Sequence, residues 1–439
     1  MRSSVTKAII LVAAGVSVGV LGVALWSVRH NSAFTHAQRG NIYAHKGSRR
    51  EALVELEKAS SMVAPGDIET EQQLGDAYAT LGELPQMVEH CERYLTLARE
   101  RGADPNQLEA FEKFLVQAKE RLTPTYFTNS PPQDYTTESF AAALRQRLNP
   151  DELAVAVDPL AVSPEMNHRA HELIAKATND LEKATLLFHD VIRHVKNDSL
   201  LPEKRYLTAQ ESFDRLKQPD GWLHCQDATF LYVAMARAVG LRAYTVDVYE
   251  TCDGTRTLHS CASVFVERGC LLVDPAYYWF GAPHKSFRIL DDVQNLGAYL
   301  CVDPDLKQNL VASKLAPDLP LVQYNLCREL TDLQRWSEVA SSLPLLQKVD
   351  SVGALAAQIQ ADLAIHEGRL DAAVGYLLKA VEIDPHQFYT RAQLGKIYVV
   401  QGKSKEALAA YQQALLCPHT ETDAEAIARA VSETTAKDR

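Results

Sequence analysis

The same set of small and aromatic residues occurs twice near each end of the 439-residue chain. The two N-terminal copies, 35 residues apart, are Gly40, Tyr43, Gly47 and Gly75, Tyr78, Gly82. The two C-terminal copies, 34 residues apart, are Ala361, Gly368, Ala373, Ala380 and Gly395, Gly402, Ala407, Ala414. Such a period is typical of stacked helix pairs, in which small residues allow close contact and a glycine ends the first helix. Residues 34–120 and 318–420 are therefore predicted to be all-α.

Both blocks resemble tetratricopeptide repeats, whose period is about 34 residues. The resemblance implies a groove for a peptide and hence a protein partner. The alternative is that so few repeats only brace the rest of the chain. A weaker unit at residues 326–346, with Trp336 in the position of Leu370, is expected to precede the C-terminal pair. Because two repeats fall short of the roughly three needed for independent stability, the N-terminal pair should pack against another part of the chain.

Residues 8–28 form an uncharged, mostly apolar stretch of 21 residues. A helix of this length matches the roughly 30 Å hydrocarbon core of a bilayer. We therefore expect residues 1–30 to be a single-pass membrane anchor, with a cleaved signal peptide as the alternative. Arg2 and Lys7 precede the stretch and Arg29 and Arg39 follow it. This balance slightly favours an N-terminus inside, which would place the soluble part on the extracytoplasmic side.

Charge and cysteine content limit the partners. With 45 Lys and Arg against 56 Asp and Glu, the formal net charge is −11. An acidic chain is a poor ligand for nucleic acid, so a protein or peptide is the expected partner. The eight cysteines are too few and too scattered for a disulfide framework.

The middle of the chain is predicted to be a separate domain, residues 141–310, after a linker at 121–140. Two prolines at 131–132 indicate a loop over residues 124–135. Apolar residues at helical spacing predict a helix at residues 180–195, and Thr208 and Glu211 match a capping box. A further apolar helix at residues 226–239 would end at Gly240.

Cys225 stands directly before that last helix, where free N–H groups and the helix dipole favour an anionic thiolate. Alternating apolar residues then predict strands at 242–249, 258–266 and 271–274. A hairpin between the last two would bring His259 and Asp274 within a rung or two of each other. A cysteine, a histidine and an aspartate arranged in this way can act as nucleophile, base and orienting acid.

Three segments here are similar to the transglutaminase-like superfamily: GWLHCQDATFLYVAMARAVGLRA, LHSCASVFV and LLVDPAYYW. The resemblance covers residues 180–281 and implies a papain-like helix and antiparallel sheet. It also implies that Cys225 is the catalytic cysteine, His259 the base and Asp274 the orienting acid. Cys261 departs from the pattern, because an aromatic residue often follows the histidine by two. The predicted fold class is α+β: a papain-like transglutaminase-type domain between all-α repeat blocks, with one N-terminal transmembrane helix.

The resemblance implies a membrane-anchored thiol enzyme that hydrolyses or transfers the acyl group of a peptide or carboxamide bond through a cysteine thioester. Hydrolysis is favoured, because the sequence has no acidic loop of the EF-hand type. The alternative is an inactive module that acts as a membrane-tethered scaffold.

No cofactor or metal is expected. Zinc ligation by Cys252, His259, Cys261 and Cys270 is disfavoured because no CxxC pair is present. A disulfide between two of these cysteines stays open. The aromatic residues 277–280 could line an acyl pocket or pack in the core. Residues 421–439 are expected to form a polar tail.

Overall fold

The computed structural model describes residues 32–46, 48–193, 195, 206–218, 223–302, 305–350, 352–385, 387–417 and 421–437. The predicted transmembrane stretch and Gly47 of the first repeat lie outside these residues. Within the described ranges, no helix is both long and apolar enough to cross a membrane.

The N-terminal block consists of two helix pairs and a fifth helix. These are α1 (Ala33–His45), α2 (Arg49–Met62), α3 (Ile68–Leu81), α4 (Leu84–Glu100) and α5 (Pro105–Leu122). A β-carbon at Gly40 would lie 2.4 Å from Leu56, and one at Gly75 would lie 2.8 Å from the sulfur of Cys91. The repeated glycines therefore lie where the two helices of each pair come closest, as the spacing predicts.

The middle domain contains a six-stranded antiparallel sheet with the order β1-β4-β3-β2-β6, and β5 pairs with β4. The strands are β1 (Tyr126–Phe127), β2 (Arg242–Glu250), β3 (Arg256–Val266), β4 (Gly269–Asp274), β5 (Trp279–Phe280) and β6 (Ser286–Ile289). Part of the segment predicted as a loop thus forms an edge strand. The prolines at 131–132 follow that strand and stay in the loop, consistent with their missing N–H donors.

The middle domain also contains helices. They are α6 (Thr137–Arg147), α7 (Pro150–Leu153), α8 (Pro164–Leu173), α9 (Asp180–Ile192), α10 (Ala209–Arg215) and α11 (Cys225–Ala238). Helix α11 packs on β2 and β3, and α8, α9 and α10 pack around it. Its side chains from Gln226 to Ala236 are buried, so the helix is fixed in the core of the domain.

The C-terminal block is a continuous stack of helices. These are α12 (Asp292–Leu300), α13 (Leu306–Leu315), α14 (Pro320–Asp332), α15 (Trp336–Val349), α16 (Ala354–His366), α17 (Leu370–Ile383), α18 (Phe388–Val400), α19 (Ser404–Leu415) and α20 (Glu421–Lys437). Each helix contacts the next, and α12 and α13 also pack on α6, so the stack continues directly from the middle domain. The weaker unit predicted at residues 326–346 corresponds to the pair α14 and α15.

The last helix corrects the prediction of a polar tail at residues 421–439. Helix α20 packs on α18 and α19. Ile427 is 3% exposed, and Ala430 and Val431 pack in the same cluster. These three residues have the i, i+3, i+4 spacing of an apolar helix face. The average polarity of residues 421–439 does not show this face, because most of the other residues in the segment are polar.

The N-terminal block docks on the middle domain through Tyr278, which follows β4. Its ring lies against Gly82, where an added β-carbon would be 2.5 Å from Cγ of the tyrosine. Its hydroxyl donates to the carbonyl of Val195 at 2.9 Å. The guanidinium of Arg49, paired with Glu83 at 3.0 Å, lies 5.5 Å from the centre of the ring. The prediction that this block leans on another part of the chain is therefore correct.

Candidate active site

Cys225 is the first residue of α11, and the start of this helix is held by Asp227. One oxygen of Asp227 accepts from the backbone N–H of His224 at 3.3 Å, and the other accepts from that of Leu207 at 2.8 Å. The side chain of Cys225 is half-buried. Its backbone N–H lies in the first turn, where helical N–H groups have no intrahelical acceptor.

His259 lies on β3 and Asp274 ends β4. The register pairs Ala262 with Val273, so its continuation places Asp274 opposite Cys261 and two residues from His259 on the same strand face. Nε2 of His259 donates to Oδ2 of Asp274 at 2.8 Å. The predicted proximity of these two residues is therefore present.

The thiol of Cys225 lies close enough to the ring of His259 to act on its charge. Nε2 of that ring is the nitrogen that donates to Asp274. Burial opposes a charge on this ring, but the Asp274 carboxylate and the Cys225 thiol outweigh burial and raise the pKa of His259 to about 10. The structure thus brings His259 and Asp274 into direct contact and places Cys225 close enough to act on the charge of His259.

Asp274 is fully buried and accepts four hydrogen bonds. Oδ1 accepts from the backbone N–H groups of Ala276 at 3.0 Å and Tyr277 at 3.2 Å. Oδ2 accepts from His259 and also from Nε2 of His284 at 2.9 Å. Burial alone would raise the pKa of Asp274, but the two histidines hold it well below its usual range.

His284 is the residue that sequence reasoning missed. It is 1% exposed, and its Nδ1 has no hydrogen-bond partner among the described residues. The only sequence signal is a histidine ten residues after Asp274, in a segment of Gly, Pro and Ala without clear periodicity. Only the folded chain shows that this segment returns to the carboxylate.

Three donor atoms of His259, Asp274 and His284 lie within 4.8 Å of one another, and they form the one potential metal-binding group within the described ranges. Both histidine nitrogens lie at direct hydrogen-bond distance from the carboxylate oxygen, 2.8 and 2.9 Å, so the group is satisfied without an ion. All eight cysteines are free thiols, so the alternative of a disulfide is not formed, and no group of cysteines within the described ranges lies close enough together to be a candidate metal site.

The other thiols differ from Cys225 in their surroundings. Six are buried and one, Cys252, is half-buried. Burial raises the pKa of each of these seven, to about 12 for Cys91, Cys270, Cys301 and Cys327. Cys261, where an aromatic residue was expected, is fully buried and packs with Val246, Leu272 and Trp279.

The aromatic residues 277–280 have four different surroundings. The ring of Tyr277 packs edge-on against His259, with centroids 5.2 Å apart. Tyr278 contacts the N-terminal block, as described above. Trp279 lies under the guanidinium of Arg121, and Phe280 packs in the core against Phe188. The sequence leaves both a pocket role and a core role open for these four residues. In the structure, different members of this run have different roles.

Comparison with known proteins supports part of this picture. The family model of the transglutaminase-like superfamily matches residues 167–280, and that of the tetratricopeptide repeat matches residues 356–387. A search of the curated proteins finds no match.

Two solved structures show weak similarity. One is a protein from Cytophaga hutchinsonii proposed to be a cysteine protease, at 13% identity over 33% of this chain and 57% of that one, with a TM-score of 0.21. The other is yeast Tom70, at 12% identity over 87% of this chain and 75% of that one, with a TM-score of 0.26. The chain thus spans little more than half of the first structure, and TM-scores this low carry no argument. On the matched family models, residues 167–280 belong to the transglutaminase-like superfamily and residues 356–387 form a tetratricopeptide repeat.

Proposed function

We propose that this protein is a cysteine enzyme in which Cys225 attacks the carbonyl carbon of a peptide or carboxamide bond. The observation that carries the proposal is the hydrogen bond from Nε2 of His259 to the buried carboxylate of Asp274 at 2.8 Å, together with the thiol at the start of α11, which lies close enough to act on the charge of the same imidazole. A thiol nucleophile needs a base that takes its proton, and that base needs a partner that fixes its orientation. His259 and Asp274 are placed for these two roles.

In the proposed reaction, His259 holds the proton given up by Cys225, as an imidazolium beside the thiolate, and the thiolate adds to the carbonyl carbon. The π electrons move to the oxygen, and the backbone N–H of Cys225 is a candidate donor to the resulting oxyanion. When the C–N bond breaks, the imidazolium gives its proton to the leaving amine and a thioester remains on Cys225. Asp274 stabilises the imidazolium throughout.

The thioester then passes its acyl group to water or to an amine, and His259 takes the proton of whichever nucleophile attacks. Hydrolysis and acyl transfer share every step up to the thioester. We favour water as the acceptor, because the sequence has no acidic loop of the EF-hand type that would suggest calcium-controlled cross-linking.

The thioester is the species to measure. The full chain is mixed with excess peptide anilide, quenched in acid and analysed by mass spectrometry, with Cys417→Ala as a control that removes a thiol from the repeat block. An adduct that maps to Cys225 and is lost in Cys225→Ala, with the unfolding temperature unchanged, supports the proposal. If the parent protein forms no adduct, the thiol-enzyme proposal is refuted, and the alternative function, an inactive scaffold, is supported. An added primary alkylamine separates acyl transfer from hydrolysis, because a transferase yields the N-alkyl amide whereas a hydrolase yields the free acid.

The repeats support protein–protein interaction, and we propose that they recruit the protein substrate. We also propose that residues 8–28 anchor the enzyme in a membrane, with the catalytic part on the extracytoplasmic side. Resistance of the full chain to alkaline carbonate extraction, and release when residues 1–30 are removed, would support the anchor. Protease digestion of sealed vesicles tests the side.

A further inference from the structure

A cavity of about 480 Å³ lies between the N-terminal helices and the middle domain, beside the candidate active site. Arg121, at the end of α5, lines one side, and Cys252, Tyr277 and Trp279 line the other. Tyr277 belongs to both sites, because it lines the cavity while its ring contacts His259 with centroids 5.2 Å apart. The cavity therefore begins one side chain away from the imidazole.

Arg121 gives this cavity a cation. Its guanidinium carbon lies 4.5 Å from the centre of the Trp279 ring, against which it stacks. A guanidinium stacked on an aromatic face keeps the N–H groups along its edge available for a planar, two-point contact with a carboxylate. Within the described part of the chain, no carboxylate oxygen lies within 4.0 Å of Arg121 to form an ion pair.

The described acidic groups nearby do not form an ion pair with Arg121. Asp274 is close enough to act on the charge of Arg121, but both of its oxygens accept hydrogen bonds from other groups. Asp253, also in the cavity wall, accepts from the Thr251 hydroxyl at 2.5 Å and the Thr255 N–H at 3.0 Å. Glu120 also lines the cavity, but it is exposed and forms no ion pair with Arg121, which it precedes on the helix.

Two further features favour an acceptor in this cavity. Burial lowers the pKa of Arg121, because water solvates the buried guanidinium charge incompletely. A bound anion would compensate for the lost solvation of this charge. The indole N–H of Trp279 is buried and has no acceptor among the described residues. The wall beside Tyr277 thus contains two kinds of donor that the protein itself leaves unused.

We propose that this cavity is a subsite for a carboxylate on the acyl donor, held by Arg121 against Trp279. The inference rests on the proposed function and narrows its substrate class to acidic peptides. Because Tyr277 both lines the cavity and contacts His259, we expect the carboxylate to lie within a few residues of the carbonyl that Cys225 attacks.

The test compares rates of Cys225 acylation by matched peptides. One series has Glu or Gln at each of the two positions before and after the scissile bond, with an amidated C-terminus. A second series has only Gln and a free C-terminal carboxylate, which separates a side-chain carboxylate from a terminal one. We expect the best acidic peptide of either series to react about tenfold faster than its neutral partner.

Arg121→Gln should remove this preference, and Arg121→Lys should keep part of it, because lysine retains the charge without the two-point geometry. Lys119→Gln is the matched control: it removes a positive charge from the same helix, but Lys119 pairs with Glu92 outside the cavity. Equal rates for acidic and neutral peptides in the parent protein, unchanged in Arg121→Gln, would overturn the subsite.

Calorimetry with Cys225→Ala measures how tightly the acidic and neutral peptides bind when no acylation can occur. This measurement separates failure of the subsite from failure of the proposed function. Tighter binding of the acidic peptide that depends on Arg121, together with no acylation of the parent protein, would refute the enzyme and retain the site. Acylation without any effect of peptide charge would refute the site and retain the enzyme.

Discussion

Nε2 of His284 lies 2.9 Å from Oδ2 of Asp274, and both side chains are fully buried. This hydrogen bond lowers the pKa of Asp274, so His284→Ala should raise that pKa. The acid limb of kcat/KM, where Asp274 takes up a proton, should then move to higher pH. Loss of a buried hydrogen bond to a charged group should also reduce the free energy of unfolding by about 1.5–3 kcal/mol.

The pH profile distinguishes this positioning role from general destabilisation. His284→Gln keeps an N–H donor and should restore part of the acid limb, whereas His171→Ala, on the exposed face of α8, should leave it unchanged. If His284→Ala lowers the free energy of unfolding but leaves the acid limb of kcat/KM at the same pH, His284 contributes only to packing and does not affect the pKa of Asp274.

Asp274→Asn tests the ion pair through the pH dependence of stability. Burial lowers the pKa of His259, but Asp274 and, to a smaller extent, Cys225 outweigh it and raise this pKa from 6.5 to about 10, so the contribution of the pair is complete below about pH 6.5 and is lost as pH rises through 10. The pKa of Asp274 is lowered from 3.8, so its contribution is complete above about pH 3.8 and is lost in acid. The difference in unfolding temperature between the parent and Asp274→Asn should therefore be largest between about pH 4 and 6.5.

The control for this series is Asp180→Asn, which breaks an exposed pair with Lys183 and should show only a small and nearly pH-independent difference. If the difference for Asp274→Asn stayed constant from pH 6 to pH 10, the charged form of His259 would not depend on Asp274.

Cys225 should be the thiol that iodoacetamide modifies first. It lies close enough to His259 to act on the charge of that ring, whereas burial raises the pKa of the other seven thiols and shields six of them from reagent. Cys252 is the internal reference, because it is also half-buried. We expect labelling of Cys225 to be at least about tenfold faster than that of Cys252, and to slow in His259→Ala, as measured by peptide mapping. Equal rates would argue against activation by His259.

Local pattern explains why much of this site could be predicted. The strands predicted at 242–249, 258–266 and 271–274 are found at Arg242–Glu250, Arg256–Val266 and Gly269–Asp274, because alternation of apolar residues reports directly on burial. Cys225 is found at the start of its helix for a similar reason. The run of apolar residues defines where the helix begins, and Gly240 defines where it ends. A hairpin then fixes the contact of His259 with Asp274.

The rest depends on contacts between segments far apart in the sequence. His284 returns to Asp274 from a segment without periodicity, and Arg121 reaches Trp279 from another domain. Neither contact leaves a signal in the spacing of residues. The packed face of α20 was missed for another reason: a few apolar residues at helical spacing are enough to bury one side of a polar helix.

The repeat stack offers a matched pair of glycines, both inside helices. A β-carbon added at Gly375 would meet no neighbouring side chain within 4 Å, so Gly375→Ala should stabilise the protein by about 0.5–1 kcal/mol through helix propensity. A β-carbon at Gly395 would lie 2.4 Å from the ring of Tyr411, so Gly395→Ala should destabilise it by about 1–3 kcal/mol. Denaturant unfolding measures both, and equal effects would contradict the close helix contact.

Docking of the N-terminal block can be tested with two glycines that share a left-handed backbone. Gly82 and Gly102 have φ values of 70° and 75°, so alanine costs a similar backbone strain of about 1–2 kcal/mol at either position. Only at Gly82 would the new methyl group also meet Tyr278, at 2.5 Å, which adds about 1–3 kcal/mol. Gly82→Ala should therefore lower the unfolding temperature more than Gly102→Ala.

Gly82→Ala should also weaken the preference for acidic peptides, because Tyr278 adjoins both Tyr277 and Trp279. Gly102→Ala should leave this preference unchanged. If the two variants show the same stability and the same preference, the repeats do not shape the site.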